Sequence, residues 1–243
     1  MKLKINNVRI SLLHEQSLEQ AVCKKAGISR EMLGSVQILR KAVDARKKQD
    51  VCLNYHVLAD IEANGRQAKR LLADRDISKY EQKAAPELVL GTLPLSAPPV
   101  VIGAGPAGLL AALQLAEHGY QPLLLECGKP VAERVQDVQR FWSTGDFNPA
   151  SNVQFGEGGA GTFSDGKLTT RVNDPQMADI LQLFVEAGAP ENILYEHKPH
   201  VGTDKLRAMV TGLSRRIVEL GGSVRYNARV SDLLIKNNTV QGV

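Results

Sequence analysis

The stretch VVIGAGPAGLLAALQLAEHGYQPLLLE, residues 100–126, decides the fold of this chain. An apolar run ends at a glycine-dense turn, a helical pattern follows as far as His118, and a second apolar run ends at Glu126. This order predicts a βαβ unit with parallel strands. The turn reads GxGxxG, and Glu126 lies 18 residues beyond Gly108, close to the roughly 20 expected of a dinucleotide-binding fold.

Each glycine of the turn has a physical reason. Gly103 permits the tight exit from the strand, Gly105 lets pyrophosphate oxygens approach the main chain, and Gly108 lets the helix pack on the sheet. The N–H groups of the first helical turn then face two phosphates, while the N–H that proline lacks is not needed there. The predicted phosphate-binding residues are Gly103, Ala104, Gly105, Pro106, Ala107 and Gly108. The alternative is a turn with only a structural role.

Glu126 is predicted to accept hydrogen bonds from both ribose hydroxyls of an adenosine. The same carboxylate would repel a 2′-phosphate, which disfavours NADP at this position. Because the side chain is expected to face the ligand, Glu126→Arg is expected to leave the fold intact and to weaken cofactor retention.

A second glycine cluster lies in NVQFGEGGAGTFSDGKLTTR, residues 152–171. NAD needs one glycine-rich turn, whereas the longer FAD needs main-chain access at a second place, where successive amides can form an anion-holding concavity. A lysine near the flavin N1–O2 edge would stabilise the reduced anionic ring. The predicted contacts are Gly158, Gly159, Gly161, Thr162, Ser164 and Lys167. The alternative is a surface loop that ends in an Asp-Gly turn.

These motifs resemble known flavoproteins. Residues 103–108, with Gly119 and Glu126, resemble the FAD-binding motif of the glutathione-reductase-like superfamily, which has two dinucleotide-binding folds. Residues 152–171 resemble a family of bacterial FAD-dependent dehydrogenases that are largely uncharacterised. This likeness covers about residues 95–243, and the segment KAVDARKKQD, residues 41–50, resembles that family's N-terminal extension.

The resemblance implies FAD as the cofactor, Arg134 near the adenosine and the main chain of Val230 against the adenine. The chain departs from glutathione-reductase-type enzymes because it lacks the redox CxxxxC, which excludes disulfide reduction by that route. Cys127 adjoins the ribose-binding acid and is interpreted as a packed small side chain.

Three parts are predicted: a small α+β domain over residues 1–82, a linker with four prolines over 83–99, and the N-terminal part of an FAD-binding domain, with the start of a substrate-side insertion, over 100–243. The predicted class is therefore α/β, with a Rossmann-like domain that is incomplete at its C-terminus. The last predicted strand, 239–243, stops with the chain, and a longer protein is expected.

The remaining predicted elements come from periodicity and capping signals. In the first domain these are strands Leu3–Ile10, Val36–Val43 and Val51–Val57 and helices Ser17–Lys25 and Glu62–Ala73, with His56 on the surface. In the second, a helix capped by Asp174 with Pro175 at its first position precedes a helix from Thr203 to Leu220 and strands Val224–Tyr226, Arg229–Ile235 and Thr239–Val243.

Composition sets the broad class. The 243 residues are 43% hydrophobic and 23% charged, which is typical of globular domains. Three widely spaced cysteines provide neither a disulfide framework nor a metal site, so no metal and a reducing, cytoplasmic setting are expected. The apolar run 97–116 has the length of a membrane span, but its glycines and prolines favour a strand and a helix instead.

The leading hypothesis is an FAD-dependent oxidoreductase, or its N-terminal part, that moves hydride between a small-molecule substrate and flavin N5, with NADH or NADPH as a possible external reductant. No catalytic residue is assigned; His197 and His200 are interpreted as loop residues rather than as acid or base. A nucleic-acid-associated flavoprotein is an alternative, because residues 1–95 hold 17 Lys and Arg against 11 Asp and Glu. Aromatic content of 5% weighs against it. A non-catalytic nucleotide-binding module is the third possibility.

Overall fold

A computed structural model of the chain describes residues 1–81, 89–92, 94–170, 174 and 176–243. The chain divides into two units, the first formed by Met1–Pro86 with Asn192–Pro199 and the second by Glu87–Glu191 with His200–Val243. The first unit contains a four-stranded sheet, and the second contains a three-stranded sheet and a two-stranded hairpin.

The first unit is an antiparallel sheet against which two helices pack. Its elements are β1 (Lys2–Ser11), α1 (Leu18–Ala26), β2 (Leu33–Asp44), β3 (Cys52–Ile61), α2 (Gly65–Leu72) and β4 (Ile77–Lys79). The strands lie in the order β2-β3-β1-β4, and every neighbouring pair is antiparallel. The five elements predicted here are all present, with ends shifted by one to four residues. β4 was not predicted.

The core of this unit depends on alternation along β1 and on one irregularity in it. Leu3 and Ile5 are fully buried at the two-residue spacing of a strand. A β-bulge follows, with Asn7 at φ 57, and it returns Val8 to the buried face. Side chains of α1, including Val22, complete the same cluster.

His56 differs from its predicted surface position, because it is half-buried in β3. Burial lowers the pKa of this histidine below its ordinary value, and the positive charge of Arg40 acts in the same direction.

A segment distant in sequence belongs to the first unit and lies along its outer strand β2. The Lys41 N–H donates to the Tyr195 carbonyl at 2.7 Å, and the His197 N–H donates to the Lys41 carbonyl at 3.1 Å. Nη2 of Arg40 lies 2.8 Å from Nδ1 of His197. Residues 192–199 were not predicted to join this sheet, since main-chain pairing of this kind leaves no periodic pattern in the sequence.

The second unit contains a parallel sheet with helices. Its elements are β5 (Val100–Ile102), α3 (Pro106–Glu117), β6 (Leu123–Leu125), α4 (Val131–Thr144), a 3₁₀ turn (Ala160–Phe163), α5 (Met177–Glu186), α6 (Thr203–Glu219), β7 (Ser223–Arg225), β8 (Leu234–Lys236) and β9 (Thr239–Gly242). Strands β5, β6 and β7 are adjacent in that order and parallel. The predicted βαβ unit is confirmed, and β6 has the predicted bounds.

Two parts of the second unit differ from prediction. Helix α4 was not predicted. Residues 229–233 were predicted as strand but lie outside any strand, and within the described part of the chain β8 pairs with β9 alone, in a hairpin. The predicted turn of this hairpin is confirmed, because Asn237 and Asn238 have φ of 51° and 56°, the left-handed values that a two-residue hairpin turn requires.

Helix α5 begins at Met177, shortly after the predicted cap. Oδ1 of Asp174 accepts the N–H of Gln176 at 2.8 Å. The predicted first helical residue, Pro175, lies outside the described residues, as do Arg171 of the second glycine segment and residues 83–88 and 93 of the predicted linker.

Candidate functional site

The first glycine turn connects β5 to α3 in the predicted manner. Gly103 has φ +91, a left-handed value, and its N–H donates to the Leu125 carbonyl at 2.7 Å. A Cβ on Gly108 would collide with the Gly103 carbonyl oxygen, so glycine at 108 allows the helix to start directly on the turn. Gly105 is the N-cap of α3, and no side chain of the described residues caps this helix.

The side of the turn next to Gly105 is open. Among the described residues, apart from its chain neighbours, no atom lies within 4 Å of the position that a Cβ on Gly105 or on Gly103 would take. Gly105 itself has φ −73 and ψ 177, which any residue can adopt. Local backbone strain therefore does not explain the glycine at 105, whereas close approach by a ligand would explain it.

Glu126 follows β6 and is buried rather than exposed. Its two carboxylate oxygens each accept a main-chain N–H at 2.8 Å, from Ala104 and from Gly128. The side chain is 4% exposed. It therefore holds the first glycine turn to the end of β6, and the expectation that Glu126→Arg leaves the fold intact is corrected: a bulky cation would replace a buried acceptor of two hydrogen bonds.

The structure brings the two glycine clusters together. The Gly158 N–H donates to the Ala104 carbonyl at 2.7 Å, and a Cβ on Gly159 would lie 3.4 Å from Cα of Gly105. Gly158 and Gly159 have φ of +82 and +66. The second cluster therefore lies against the first turn at the start of α3. We call these two clusters together, residues 103–108 and 156–161, the glycine cradle.

Arg134 was expected near an adenosine, and its contacts are different. The guanidinium is 0% exposed and donates to the carbonyls of Asn152 (2.8 Å), Val153 (2.8 Å), Glu157 (2.7 Å) and Gly156 (3.3 Å). Burial lowers its pKa to about 10. Arg134 thus supports the second cluster from inside the protein, and its place near the adenosine stays a prediction.

Glu157, which the sequence did not single out, links several elements to the cradle. The side chain is 2% exposed; Oε2 accepts the N–H of Val131, the first residue of α4, at 2.7 Å. Oε1 accepts the hydroxyls of Ser214 and Tyr226. Burial and this hydrogen bond raise the pKa of Tyr226. The signal in the sequence was a lone acid among glycines, which by itself resembles a solvent-exposed loop residue.

The remaining predicted contacts beyond Gly159 have different exposures. Thr162 is buried, and its hydroxyl donates to the Glu157 carbonyl at 3.1 Å, so it stabilises the loop. Gly161 is exposed, and among the described residues, apart from Gly161 and its chain neighbours, no atom lies within 4 Å of where its Cβ would be. Ser164 is exposed, and its hydroxyl donates to the Gly161 carbonyl at 2.7 Å.

Lys167 and His200 are neighbours in the second unit. Their main chains pair as an isolated antiparallel bridge. Nζ of Lys167 lies 2.9 Å from Oδ2 of Asp165, and this ion pair is exposed. His197, the other histidine considered, belongs to the first unit. A role for Lys167 beside a flavin stays a prediction. Val230, half-buried and outside any strand, likewise has an untested role at the adenine.

The residues of the cradle fit a dinucleotide diphosphate. An uncapped helix start provides N–H groups and the positive end of a helix dipole, which together favour an anion. The absent Cβ at Gly105 leaves space for phosphate oxygens beside them. A flavin nucleotide with its diphosphate at this position is consistent with both features.

Comparison with known proteins agrees with this assignment. Residues 99–162 match the family described as FAD binding domain, which includes both glycine clusters, and residues 2–60 match a domain of unknown function. An uncharacterized protein of Clostridium beijerinckii (strain ATCC 51743 / NCIMB 8052) is 41% identical over 247 residues, covering 100% of this chain and 46% of that protein. The chain therefore spans about half the length of this relative.

The second unit is a mixed α/β domain with a parallel sheet, and its residues 99–162 are similar to an FAD binding domain. Within the described ranges, no helix is long and apolar enough to cross a membrane. In the same ranges, no group of three His, Cys, Asp or Glu side chains is placed to hold a metal ion.

Proposed function

We propose that this chain binds FAD through the glycine cradle and forms the FAD-binding part of an oxidoreductase that acts on a small molecule. The observation that carries the proposal is the hydrogen bond from Gly158 to Ala104, which joins two glycine clusters separated by about fifty residues beside an open, uncapped helix start. The FAD binding domain match over residues 99–162 supports the same cofactor.

The roles of the residues follow from their positions. The first turn of α3 holds the diphosphate through its N–H groups, and Gly105 provides the space. Glu126 keeps that turn in place and retains free lone pairs with which it can accept a ribose hydroxyl. Bound flavin supplies hydride transfer at its ring nitrogen N5, and the protein supplies orientation and exclusion of water.

The finer parts of the proposal are the Rossmann-like topology and the external reductant. The parallel strand order β5-β6-β7 supports a topology in which these strands form one half of a doubly wound sheet. NADH or NADPH is the proposed external reductant. Anaerobic titration with each, followed by bleaching of the flavin absorbance, tests this choice; no bleaching by either would remove the nicotinamide from the proposal.

The decisive experiment separates a ligand-facing glycine from a structural one. Gly105→Ala adds a Cβ to open space, so we expect a stability loss of about 1 kcal/mol or less and a large loss of bound FAD, measured by absorbance and by isothermal titration. Gly108→Ala is the contrasting variant, because its Cβ meets the Gly103 carbonyl and the protein itself should be destabilised. Wild-type protein that neither retains FAD nor takes it up would refute the proposal.

A further inference from the structure

Arg134 is a buried cation, and the free-energy cost of burying its guanidinium needs an explanation. Its side chain is completely buried, and the four hydrogen bonds assigned to it among the described residues all end on main-chain carbonyls. Burial of a guanidinium is unfavourable unless its donors are satisfied, and an apolar side chain of similar size is often no less stabilising. Stability alone therefore does not account for arginine here.

We propose that Arg134 is a positioning residue of the FAD site: it fixes the main chain of residues 152–157 so that Gly158 meets Ala104, and it does so without touching the cofactor. The inference rests on the proposed function, and it replaces the adenosine contact expected from the sequence.

The contacts form a continuous path from α4 to the first glycine turn. Arg134 binds the carbonyls of Gly156 and Glu157, and the next residue, Gly158, donates its N–H to Ala104. A Cβ at Gly156 would lie 2.5 Å from Cδ of Arg134, so the glycine at 156 leaves room for this side chain. The arginine and the glycine at 156 are thus adapted to each other.

Phe163, two residues beyond the second cluster, contacts the same guanidinium. The ring of Phe163, the last residue of the 3₁₀ turn, lies 4.9 Å from Cζ of Arg134, a cation–π distance. Arg134 therefore touches the chain both before and after Gly158. Lysine could not replace it, because three donors on one nitrogen cannot reach carbonyls that the planar fork of arginine spans.

The test compares three variants of the 243-residue chain, all on α4. Arg134→Lys keeps the charge and loses the fork. Arg140→Lys makes the same chemical change at a half-exposed side chain that pairs with Asp137 and Asp146. Val138→Ala removes a buried apolar group and serves as the control for a loss of stability similar to that of Arg134→Lys.

Two measurements are made on each variant: the dissociation constant for FAD, and amide hydrogen exchange of residues 156–162 in the protein without added FAD. We expect Arg134→Lys to weaken FAD binding roughly tenfold or more, by analogy with the loss of an outer-shell partner at a metal site. We also expect residues 156–162 of this variant to exchange faster than in wild type, and this increase to be larger than any increase in α3. Arg140→Lys should match wild type within about twofold, and Val138→Ala should bind FAD nearly normally although its unfolding midpoint falls.

Several outcomes would overturn the inference. Normal FAD affinity and normal exchange in Arg134→Lys would do so, as would an equal loss of affinity in Val138→Ala at matched stability. If Arg134→Lys does not fold, Phe163→Leu removes the ring contacts with Arg134, Arg207 and Trp142 and keeps the guanidinium hydrogen bonds of Arg134. Unchanged exchange in 156–162 would then count against the role. Failure of wild type to bind FAD would refute the proposed function, whereas the exchange measurement still decides whether Arg134 holds the loop.

Discussion

The first N–H groups of helices α1 and α2 in the first unit are satisfied differently from those of α3 and α4 in the second unit. In the first unit, Ser17 and Gln20 form a reciprocal capping box at α1, and Asn64 and Gln67 form another at α2. In the second unit, no described side chain caps α3. The start of α4 receives the Glu157 carboxylate from 26 residues away in sequence. The starts of α1 and α2 are thus satisfied locally, whereas α4 depends on a tertiary contact and α3 is left open for a ligand.

The comparison shows that a helix start can be left uncapped only because the N-cap residue has no side chain, while its backbone is nearly the same as at a capped start. Gly105, with φ −73 and ψ 177, has nearly the backbone of Asn64, with φ −74 and ψ 172. A capping side chain at 105 would therefore find the required geometry. Its absence leaves the N–H groups of α3 available, which is what binding of an external anion requires.

The largest effect is expected at the start of α4. Glu157→Ala leaves the Val131 N–H and two hydroxyls without their buried acceptor, and we expect a loss of about 3 kcal/mol in urea denaturation. The matched control is Glu133→Ala, an exposed acid in the first turn of the same helix, which should cost about 0.5 kcal/mol or less. Equal losses in the two variants would show that the buried carboxylate has no special role.

An intermediate effect is expected at the capping boxes of the first unit. Ser17→Ala and Asn64→Ala each remove the side-chain acceptor of an N–H in the first turn, and each should cost about 1 kcal/mol. Thermal or urea unfolding measures this loss, while the FAD content should stay at the wild-type level. A loss of FAD in either variant would contradict the distinction between helix starts that a nearby side chain caps and the helix start that binds the ligand.

The smallest change in stability, with the opposite sign, is expected at α3. Gly105→Asp supplies a capping carboxylate in a backbone that suits it, and we expect the protein without FAD to gain about 0.5 kcal/mol. The same carboxylate occupies the phosphate position and repels it, so FAD retention should fall strongly. A variant that is less stable than wild type and still binds FAD would break the comparison.

Much of the fold could be predicted from local signals. The βαβ unit followed from apolar runs and glycine spacing, and the helix from Thr203 followed from an apolar stripe of which Leu206, Val210 and Leu213 are buried. Helix α4 was missed because its buried face includes Arg134 and Asp137 beside Val131 and Val138, which hides the apolar period. Pro130 before it and Gly145 after it were the available signals.

The roles of site residues were less predictable than their locations. Glu126 was predicted near the cofactor from spacing and Arg134 from the family resemblance, yet both bind main-chain groups inside the protein. A charged side chain has the same appearance in a sequence whether its partner is a ligand or a carbonyl brought close by folding. Glu157 was missed for the same reason, since its partners come from α4, from α6 and from the residue after β7.

The sequence by itself determined the elements that depend on near neighbours: the strand, the glycine turn, the helix and the acidic residue after the next strand. Conformational preference and hydrophobic period act over a few residues, so they can be identified in the amino-acid sequence. Only the tertiary structure decided that Gly158 lies against Ala104, that Arg134 faces inward and that residues 192–199 join the sheet of the first unit. Those arrangements depend on main-chain donors and acceptors, which every residue carries alike and which only the folded chain brings together.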